Sequence, residues 1–318
     1  MTPAVSPFRA LVLGLGDVLK APLMLIAIAI VMLLMALPFA ATLNSELQRS
    51  LSVQPHVDLA DTEIDPEWWM EFRDHATGLA ATFTPAVLGF ASTLDGLSNV
   101  LDGHAPPAAI ILPLLLSAAA WAFLWGGVLQ RFQQGRGLGI AGFARAGASR
   151  LVTFIVIAAG AAVVNLVLYL TVHRLLFGPV LRALTAMVST ERDVFLIRVV
   201  LYGIFFACVG LVSLVADYTR VYSVAAGDRT VAGAIRGSIA FIRSRFGATL
   251  TLYVMTGAIF VVITAGYGVL ELYGGAQVGR WSAVAIGQAY VFARLGIRLA
   301  FASSELRLFN ASHTAAAV

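Results

Sequence analysis

The residues with the clearest chemical potential are two arginines, Arg294 and Arg298, in an otherwise apolar stretch near the end of the chain. Their separation of four residues places both on one face of an α-helix. An arginine in the hydrocarbon of a membrane costs at least about 2.5 kcal/mol unless a partner neutralises it. The pair therefore predicts an anion site, and we expect its ligand to be a lipid phosphate or another small anion.

Three further side chains are expected near this pair. Asp217 is the acid at a similar depth, and Tyr218 and Tyr290 offer hydroxyl groups. One aspartate cannot neutralise two arginines, so we expect a pocket of net positive charge. The alternative interpretation is a purely structural bridge between Asp217 and the arginines, without a ligand.

Sequence patterns typical of catalysis or cofactor binding are missing. The chain has no GxxxxGK[ST], HExxH, GxSxG or CxxC motif. Acids and histidines gather between positions 56 and 104, but the stretch from Asp61 has Pro66 where a calcium loop needs glycine and Phe72 where it needs glutamate. We expect a solvated acidic loop, and therefore no enzyme, no metal site and no cofactor.

Composition places the chain in a membrane. Hydrophobic residues make up 59% and charged residues 12% of its 318 residues, whereas soluble domains carry about 25% charged residues. The formal net charge of +4 does not indicate nucleic-acid binding. The single cysteine, Cys208, excludes an intrachain disulfide.

Six stretches have the roughly 20 apolar residues that a membrane-spanning helix requires. No linker divides them, so we expect one membrane domain, an all-α polytopic transmembrane helical bundle. The first stretch is too long for a signal peptide and is interpreted as an uncleaved anchor. The predicted spans are Ala21–Leu43, Ala108–Leu129, Leu151–Val172, Val194–Ala216, Phe246–Leu270 and Ser282–Phe301.

The distribution of arginine predicts the orientation of the bundle. Residues 131–150 contain four arginines and no acid, whereas residues 44–105 contain ten acids and two arginines, a net charge of −8. Arginine-rich loops stay on the cytoplasmic side. We therefore expect residues 44–105 to form an external loop and both termini to be cytoplasmic, in a bacterial inner membrane.

Two parts of the external loop are expected to touch the membrane. Residues 78–94 are uncharged, but a seventh span there would move the arginines of residues 131–150 outside, so a membrane-dipping or interfacial segment is the preferred interpretation. Trp68 and Trp69 lie in PEWWMEFRDHATGL, which predicts a short helix anchored at the interface by its tryptophans.

A short phrase recurs along the chain. IAGFARAG at residues 140–147 returns as VAGAIRGS at residues 231–238, with a fainter copy around Phe8-Arg9-Ala10. The even-numbered spans all end at an arginine followed by an apolar residue, namely at Arg131, Arg220 and Arg307. Because the motif and the terminal arginines recur at equivalent positions, the sequence predicts three repeats, each an interfacial helix plus a helical hairpin.

The second full copy begins an amphipathic helix. Its apolar positions follow helical spacing and comprise Val231, Ile235, Ile239, Ile242 and Phe246. Three arginines recur every seven residues beside this stripe: Arg229, Arg236 and Arg243. We expect the helix to lie in the headgroup layer with these arginines at lipid phosphates. The alternative is that they only set the topology.

Three stretches carry a resemblance to known proteins. FRAL, LVADYTRVYSVAAGDRTVAGAIRGSIAFIR and ARLGIRLAFASSELRLF resemble a family of bacterial six-span membrane proteins of unknown function. More distantly, the chain is similar to the membrane domain of some glycerophosphodiester phosphodiesterases. The resemblance implies a helical fold in a bacterial inner membrane. It implies no catalytic residues, because that domain is the non-catalytic part of those enzymes.

These observations favour a non-catalytic scaffold or accessory subunit of a membrane complex. A transporter or lipid-handling protein for a small anion or an anionic lipid is the alternative. A membrane enzyme would need a paired base or nucleophile, and the sequence offers none. The expected partners are membrane lipids, with anionic lipids as candidates, together with another membrane protein or a second copy of the chain, and not nucleic acid.

Overall fold

Helices account for nearly all of the residues that the structure describes. The structure, a computed structural model, describes residues 5–53, 66–84, 96, 98–102, 108–135, 137–227, 230–274 and 279–316. No strand occurs among these residues. Six of the helices are long and apolar enough to cross a membrane. The predicted all-α, polytopic helical fold is therefore confirmed.

The α-helices are numbered here in chain order. They are α1 (Pro7–Leu19), α2 (Pro22–Val53), α3 (Pro66–His75), α4 (Ile111–Gln134), α5 (Gly139–Leu168), α6 (Leu181–Thr185), α7 (Glu191–Ala225), α8 (Val231–Ser244), α9 (Phe246–Gly274) and α10 (Arg280–Ala316). Short 3-10 turns occur at Ala80–Thr82 and Ala108–Ile110, and π-helical turns occur at Tyr169–His173 and Leu176–Val180.

Five of the six candidate spans are longer than the apolar stretches that predict them, and the fifth coincides with its predicted stretch. They run over Pro22–Leu51, Ala108–Gln134, Gly139–Thr185, Glu191–Ala225, Phe246–Leu270 and Trp281–Ser312. The second, fourth and sixth continue beyond their apolar stretches to Gln134, Ala225 and Ser312. The last turns of the fourth and sixth spans carry residues that pack inside the protein, such as Val221 and Leu308. In the second span, Gln133 accepts a hydrogen bond from Asn310.

The predicted interfacial helices are separate elements in two of the three repeats. Pro22 begins α2, and because proline lacks a backbone N–H it suits a first helical turn and separates α2 from α1. Arg245 (φ −130°, ψ 30°) interrupts the helix between α8 and α9. Residues 140–147, by contrast, are the first turns of α5 and continue into the span. The predicted interfacial segment there is therefore the start of the spanning helix and not a separate element, since the alanines around Gly147 favour an unbroken helix.

The third span ends in two π-helical turns, Tyr169–His173 and Leu176–Val180. Pro179 lies in the second turn, where its missing N–H prevents a regular α-helical ladder. The His173 ring is buried, with its centroid 4.8 Å from that of Tyr169 and 5.2 Å from that of Phe205 on α7. This aromatic packing joins the end of the third span to α7.

The chain divides into two compact units. The first comprises Met1–Gly14, Trp121–Tyr253 and Ala302–Val318, and the second comprises Leu15–Ala120 and Val254–Phe301. Helices α1, α4, α9 and α10 each contribute a segment to both units. The expectation of a single membrane domain stays a prediction.

Candidate functional site

Small residues bring α4 and α5 into backbone contact in the first unit. A Cβ atom added at Gly147 would lie 2.7 Å from the carbonyl oxygen of Phe123, and one added at Gly126 would lie 2.9 Å from that of Ala146. Helices approach this closely only where side chains are small. The last two positions of IAGFARAG, Ala146 and Gly147, are therefore packing positions.

The second copy of the phrase docks α8 on α7 through the same two positions. A Cβ atom added at Gly237 would overlap the ring of Tyr222. The Ser238 and Thr219 hydroxyl oxygens are 2.9 Å apart, and both side chains are buried. In the faint copy, Ala10 and Leu11 are buried as well. The repeated phrase thus marks where a helix packs on the rest of the protein.

The last turns of α4, α7 and α10 meet in the first unit. The Asn310 side-chain amide donates to Gln133 Oε1 at 2.9 Å, which joins α10 to α4. The ring of Phe309 lies against Tyr222 of α7, with a centroid distance of 5.6 Å, and against Phe241 of α8, at 5.0 Å. We call this region the helix-end junction. In this junction the ends of the three even-numbered spans, one from each predicted repeat, lie together.

Ionisable side chains gather at the helix-end junction, where Glu305 is buried and Asp217 and Arg220 are half-buried. Glu305 is 2% exposed and interacts electrostatically with Asp217 and Arg220. Asp217 and Arg220 form an ion pair one turn apart on α7. Counted formally, these three groups carry one excess negative charge. Buried charges are costly unless they are paired, so this group of ionisable side chains distinguishes the junction from the apolar remainder of the first unit.

Two polar atoms of the junction have no hydrogen-bond partner among the described residues, the Tyr218 hydroxyl and Glu305 Oε1. Tyr218 is 1% exposed and its ring packs on Phe241, with 5.3 Å between centroids. A buried polar atom without a partner is uncommon, and an ionisable group at membrane depth is a functional candidate by default. Tyr218 and Glu305 are therefore the chemically most distinctive pair of the first unit.

Sequence reasoning missed Glu305, although two signals point to it. It is the only acid after Glu271 in the chain. In the register that aligns Arg131, Arg220 and Arg307, it is equivalent to Tyr218 and to Leu129, and all three are buried. Reading the repeats position by position would have placed Glu305 in the interior.

The predicted anion site is divided between the two units. Asp217 and Tyr218 belong to the first unit, whereas Tyr290, Arg294 and Arg298 belong to the second. Asp217 has a cation on its own helix, Arg220, which the sequence analysis did not anticipate. A pocket that unites all five residues stays a prediction.

Within the second unit, Arg294 lies over an aromatic stack. The Tyr267 and Tyr290 rings are parallel, with 4.0 Å between centroids, and the Thr264 hydroxyl oxygen is 3.4 Å from that of Tyr290. The Arg294 guanidinium carbon lies 5.8 Å from the Tyr290 ring centroid, a distance typical of a cation–π contact. Arg294 and Arg298 are both exposed. This arrangement presents a positively charged, aromatic-backed face of α10.

The amphipathic helix α8 has two different faces. Ala234, Ser238, Phe241 and Ile242 are buried against the protein, whereas Ile235, Ile239 and Phe246 of the predicted stripe are 38%, 39% and 49% exposed. Arg236 and Arg243 are exposed. Arg229 lies outside the described residues. The outward face therefore combines apolar and basic side chains, except that Ile242 turns inward.

The two tryptophans of α3 have different surroundings. Trp68 is 1% exposed, its ring centroid lies 5.3 Å from that of Phe72, and its Nε1 donates to Ser50 Oγ at 3.2 Å. Its predicted role as an interfacial lipid contact is therefore wrong, because the end of α2 covers it. Trp69 is half-buried beside Phe72 and Phe83.

Two predictions for the external loop fall partly outside the described residues. Of residues 78–94, the described part ends at residue 84 and contains the turn Ala80–Thr82 with Ala80 buried. The remainder lies outside, as do His56, Asp58, Asp61, Glu63, Asp65 and His104. Among the described residues, no three His, Cys, Asp or Glu side chains are grouped to hold a metal ion.

Comparisons with other proteins give no relative. No protein-family model matches the chain, and no match was found among curated proteins or solved structures. The resemblance to the membrane domain of glycerophosphodiester phosphodiesterases therefore stays a prediction from the sequence.

Proposed function

We propose that the chain is a non-catalytic integral protein of a bacterial inner membrane, where it serves as a scaffold or accessory subunit of a membrane complex. The arginine-rich helix ends and both termini are then cytoplasmic, as the arginine distribution favours. The lipids of the inner leaflet and another membrane protein, or a second copy of the chain, are its partners.

The observation that carries this proposal is the docking of α8. Its inner face is fixed by Gly237 and Ser238, while Ile235, Ile239 and two arginines face outward. Such a face suits the headgroup layer, with apolar side chains among acyl chains and arginines at phosphates. Each basic residue near an anionic surface contributes about 1 kcal/mol. A helix held rigidly in this way fixes the depth of the bundle, as a scaffold requires.

A pull-down from membranes in a mild detergent tests this proposal. The tagged full-length protein should retain a membrane-protein partner in fixed stoichiometry, or elute as a homo-oligomer. The variant Arg236→Gln/Arg243→Gln should keep its fold and lose anionic lipid in lipid analysis. Recovery of a monomer without any protein partner, at every detergent tested, would count against the scaffold.

A transporter or lipid-handling function is the second candidate. It is favoured by the Tyr267–Tyr290 stack with Arg294 above it. An exposed arginine on a spanning helix needs an anion or an acidic partner, and a lipid phosphate supplies one. A lipid found at unit stoichiometry on this face, in a preparation that holds no protein partner, would favour this candidate.

A further inference from the structure

Three equivalent positions of the predicted repeats lie in the interior of the helix-end junction. They are Leu129 of α4, Tyr218 of α7 and Glu305 of α10, each two positions before the arginine that ends its span. Their side chains are 1%, 1% and 2% exposed. One turn later, the rings of Tyr222 and Phe309 are in contact, with 5.6 Å between centroids. Residues four apart share a helix face, so Tyr218 and Glu305 lie on the faces through which α7 and α10 meet.

Two of these side chains end in oxygen atoms that form no hydrogen bond with any described residue. They are the Tyr218 hydroxyl and Glu305 Oε1. Both side chains are almost completely buried, and they interact electrostatically with each other. A buried polar atom without a partner is uncommon and destabilising. Two such atoms in one place therefore indicate a bound species that satisfies both.

The charges near Glu305 indicate the sign of that species. Asp217 and Arg220 interact electrostatically with Glu305, but the Arg220 guanidinium forms its ion pair with Asp217 on its own helix. Glu305 itself forms no ion pair with any described residue, and the carboxylate of Asp217 repels it. A buried carboxylate is costly without a compensating positive charge. The species that satisfies Glu305 should therefore be a cation.

The available ligands favour a monovalent metal ion over a proton or a divalent ion. A proton on Glu305 would cancel its charge but would leave the Tyr218 hydroxyl unsatisfied, since the two groups do not hydrogen-bond to each other. Two oxygens that each lie about 2.3–2.6 Å from one ion, as calcium ligands do, can be farther apart than hydrogen-bonded atoms. Divalent ions usually take several carboxylates, and no three His, Cys, Asp or Glu side chains are grouped in the described part of the chain.

The half-buried pair Asp217–Arg220 provides a route to the site. Its side chains are 25% and 18% exposed, whereas Tyr218 and Glu305 are almost fully covered. Asp217 is also the neighbour of Tyr218 in the chain. The pair therefore lies between the solvent and the two unsatisfied oxygens, and an ion can enter beside it.

We propose that Glu305 and Tyr218 bind one monovalent metal cation, sodium or potassium, inside the helix-end junction. The Glu305 carboxylate supplies the negative charge and one oxygen ligand, and the Tyr218 hydroxyl oxygen supplies a second. The ion thereby joins α10 to α7. Its ligands come from two different spans, so a search for clustered acids along the sequence does not reveal the site. The site is independent of the outward face of α8, on which the proposed scaffold function rests.

Thermal melts of the purified full-length protein in detergent test the proposal. Sodium chloride replaces choline chloride at constant ionic strength and pH, and potassium chloride forms a parallel series. A ligand that binds only the folded state raises the Tm with its concentration, so we expect a rise of about 3 °C for each tenfold increase of the bound ion above its Kd. Lowering the pH should weaken this effect, because protons compete with the ion for the carboxylate.

Four variants assign the effect to the two ligands. Glu305→Gln keeps the shape of the side chain and removes its charge, so the Tm should no longer depend on sodium or potassium. Tyr218→Phe should weaken ion binding by about tenfold or more, as the loss of a group that supports a metal site does. Glu191→Gln and Tyr253→Phe are the matched controls, since Glu191 is exposed at the start of α7 and the Tyr253 hydroxyl is hydrogen-bonded to Ser213.

Each outcome has a clear consequence. Stabilisation by either salt that Glu305→Gln abolishes and both controls retain supports the proposal, and the more effective salt identifies the ion. A Tm that responds to pH but to neither salt would show that Glu305 holds only a proton, and would overturn it. Equal salt dependence in the wild type and in Glu305→Gln would overturn it as well. Calorimetric titration with the two salts gives the Kd directly, so the result does not depend on the stability of a variant.

Discussion

The Ser238 hydroxyl oxygen lies 2.9 Å from the Thr219 hydroxyl oxygen, and both side chains are buried. This contact joins the eighth residue of a repeated phrase to the preceding span. Ser238 also lies within hydrogen-bond distance of the carbonyl oxygen of Ile235, and Thr219 of that of Val215. Each hydroxyl group thus contacts a carbonyl oxygen of its own helix and also joins α8 to α7.

Removing this contact should loosen α8 from α7. Ser238→Ala and Thr219→Val should each lower the free energy of unfolding by about 1 kcal/mol, and the double-mutant cycle should give a coupling of about 0.6 kcal/mol. Unfolding in mixed micelles measures both values. Ser149→Ala is the control, because Ser149 is exposed and bonds only within its own helix. A coupling of zero would contradict a direct contact.

Position 147 requires glycine, because the backbone of α4 approaches α5 too closely there for a side chain. Gly147→Ala places a methyl group 2.7 Å from a backbone oxygen, which cannot move without shifting the helix, so we expect a loss of about 1–3 kcal/mol. Gly160→Ala on the same helix meets no atom within 4 Å and should be neutral or stabilising. Thermal melts of the two variants compare them directly. Equal stability would mean that α4 and α5 do not pack at this glycine.

Arg220 should be essential to the helix-end junction. Arg220→Gln leaves the half-buried Asp217 and the buried Glu305 without the guanidinium that stabilises them, so we expect a loss of about 1–3 kcal/mol. Adding Glu305→Gln to this variant should restore part of the loss, since one carboxylate is removed. Chemical unfolding of the single and double variants tests this. Arg192→Gln, at an exposed position of α7, should change the stability by less than about 0.5 kcal/mol.

The predicted orientation of the protein in the membrane can be tested by cysteine labelling in a Cys208→Ala background. A cysteine at Ser52 should react with a membrane-impermeant reagent on intact cells, because residues 44–105 are predicted to be external. One at Gly137 should react only after the membrane is opened. The reverse pattern would invert the predicted topology.

Arg294 and Arg298 should retain anionic lipid if α10 presents an anion site. Arg294→Gln/Arg298→Gln should lower the anionic lipid that co-purifies, as measured by native mass spectrometry, because both positive charges of this face of α10 are removed. Arg198→Gln, on an exposed face of α7, is the matched control. If the double variant keeps its full lipid complement, the arginines only anchor the helix at the interface.

The sequence by itself determined the spans and their helical class. A hydrocarbon layer about 30 Å thick demands about 20 apolar residues in each helix, so Phe246–Leu270 is found as predicted. The period of α8 likewise revealed its outward residues Ile235 and Ile239, because amphipathic spacing is a local property.

Only the tertiary structure decided which of the candidate functional side chains are buried. Trp68 and Glu305 are covered by helices that the local sequence does not reveal, and residues as distant as Gln133 and Asn310 bond directly. The ion pair Asp217–Arg220 could be read from its spacing, but its burial could not. Exposure depends on which helices meet, and that follows from contacts between segments far apart in the chain. Local periodicity therefore finds a helix and its faces, whereas the partner of each face is fixed by packing.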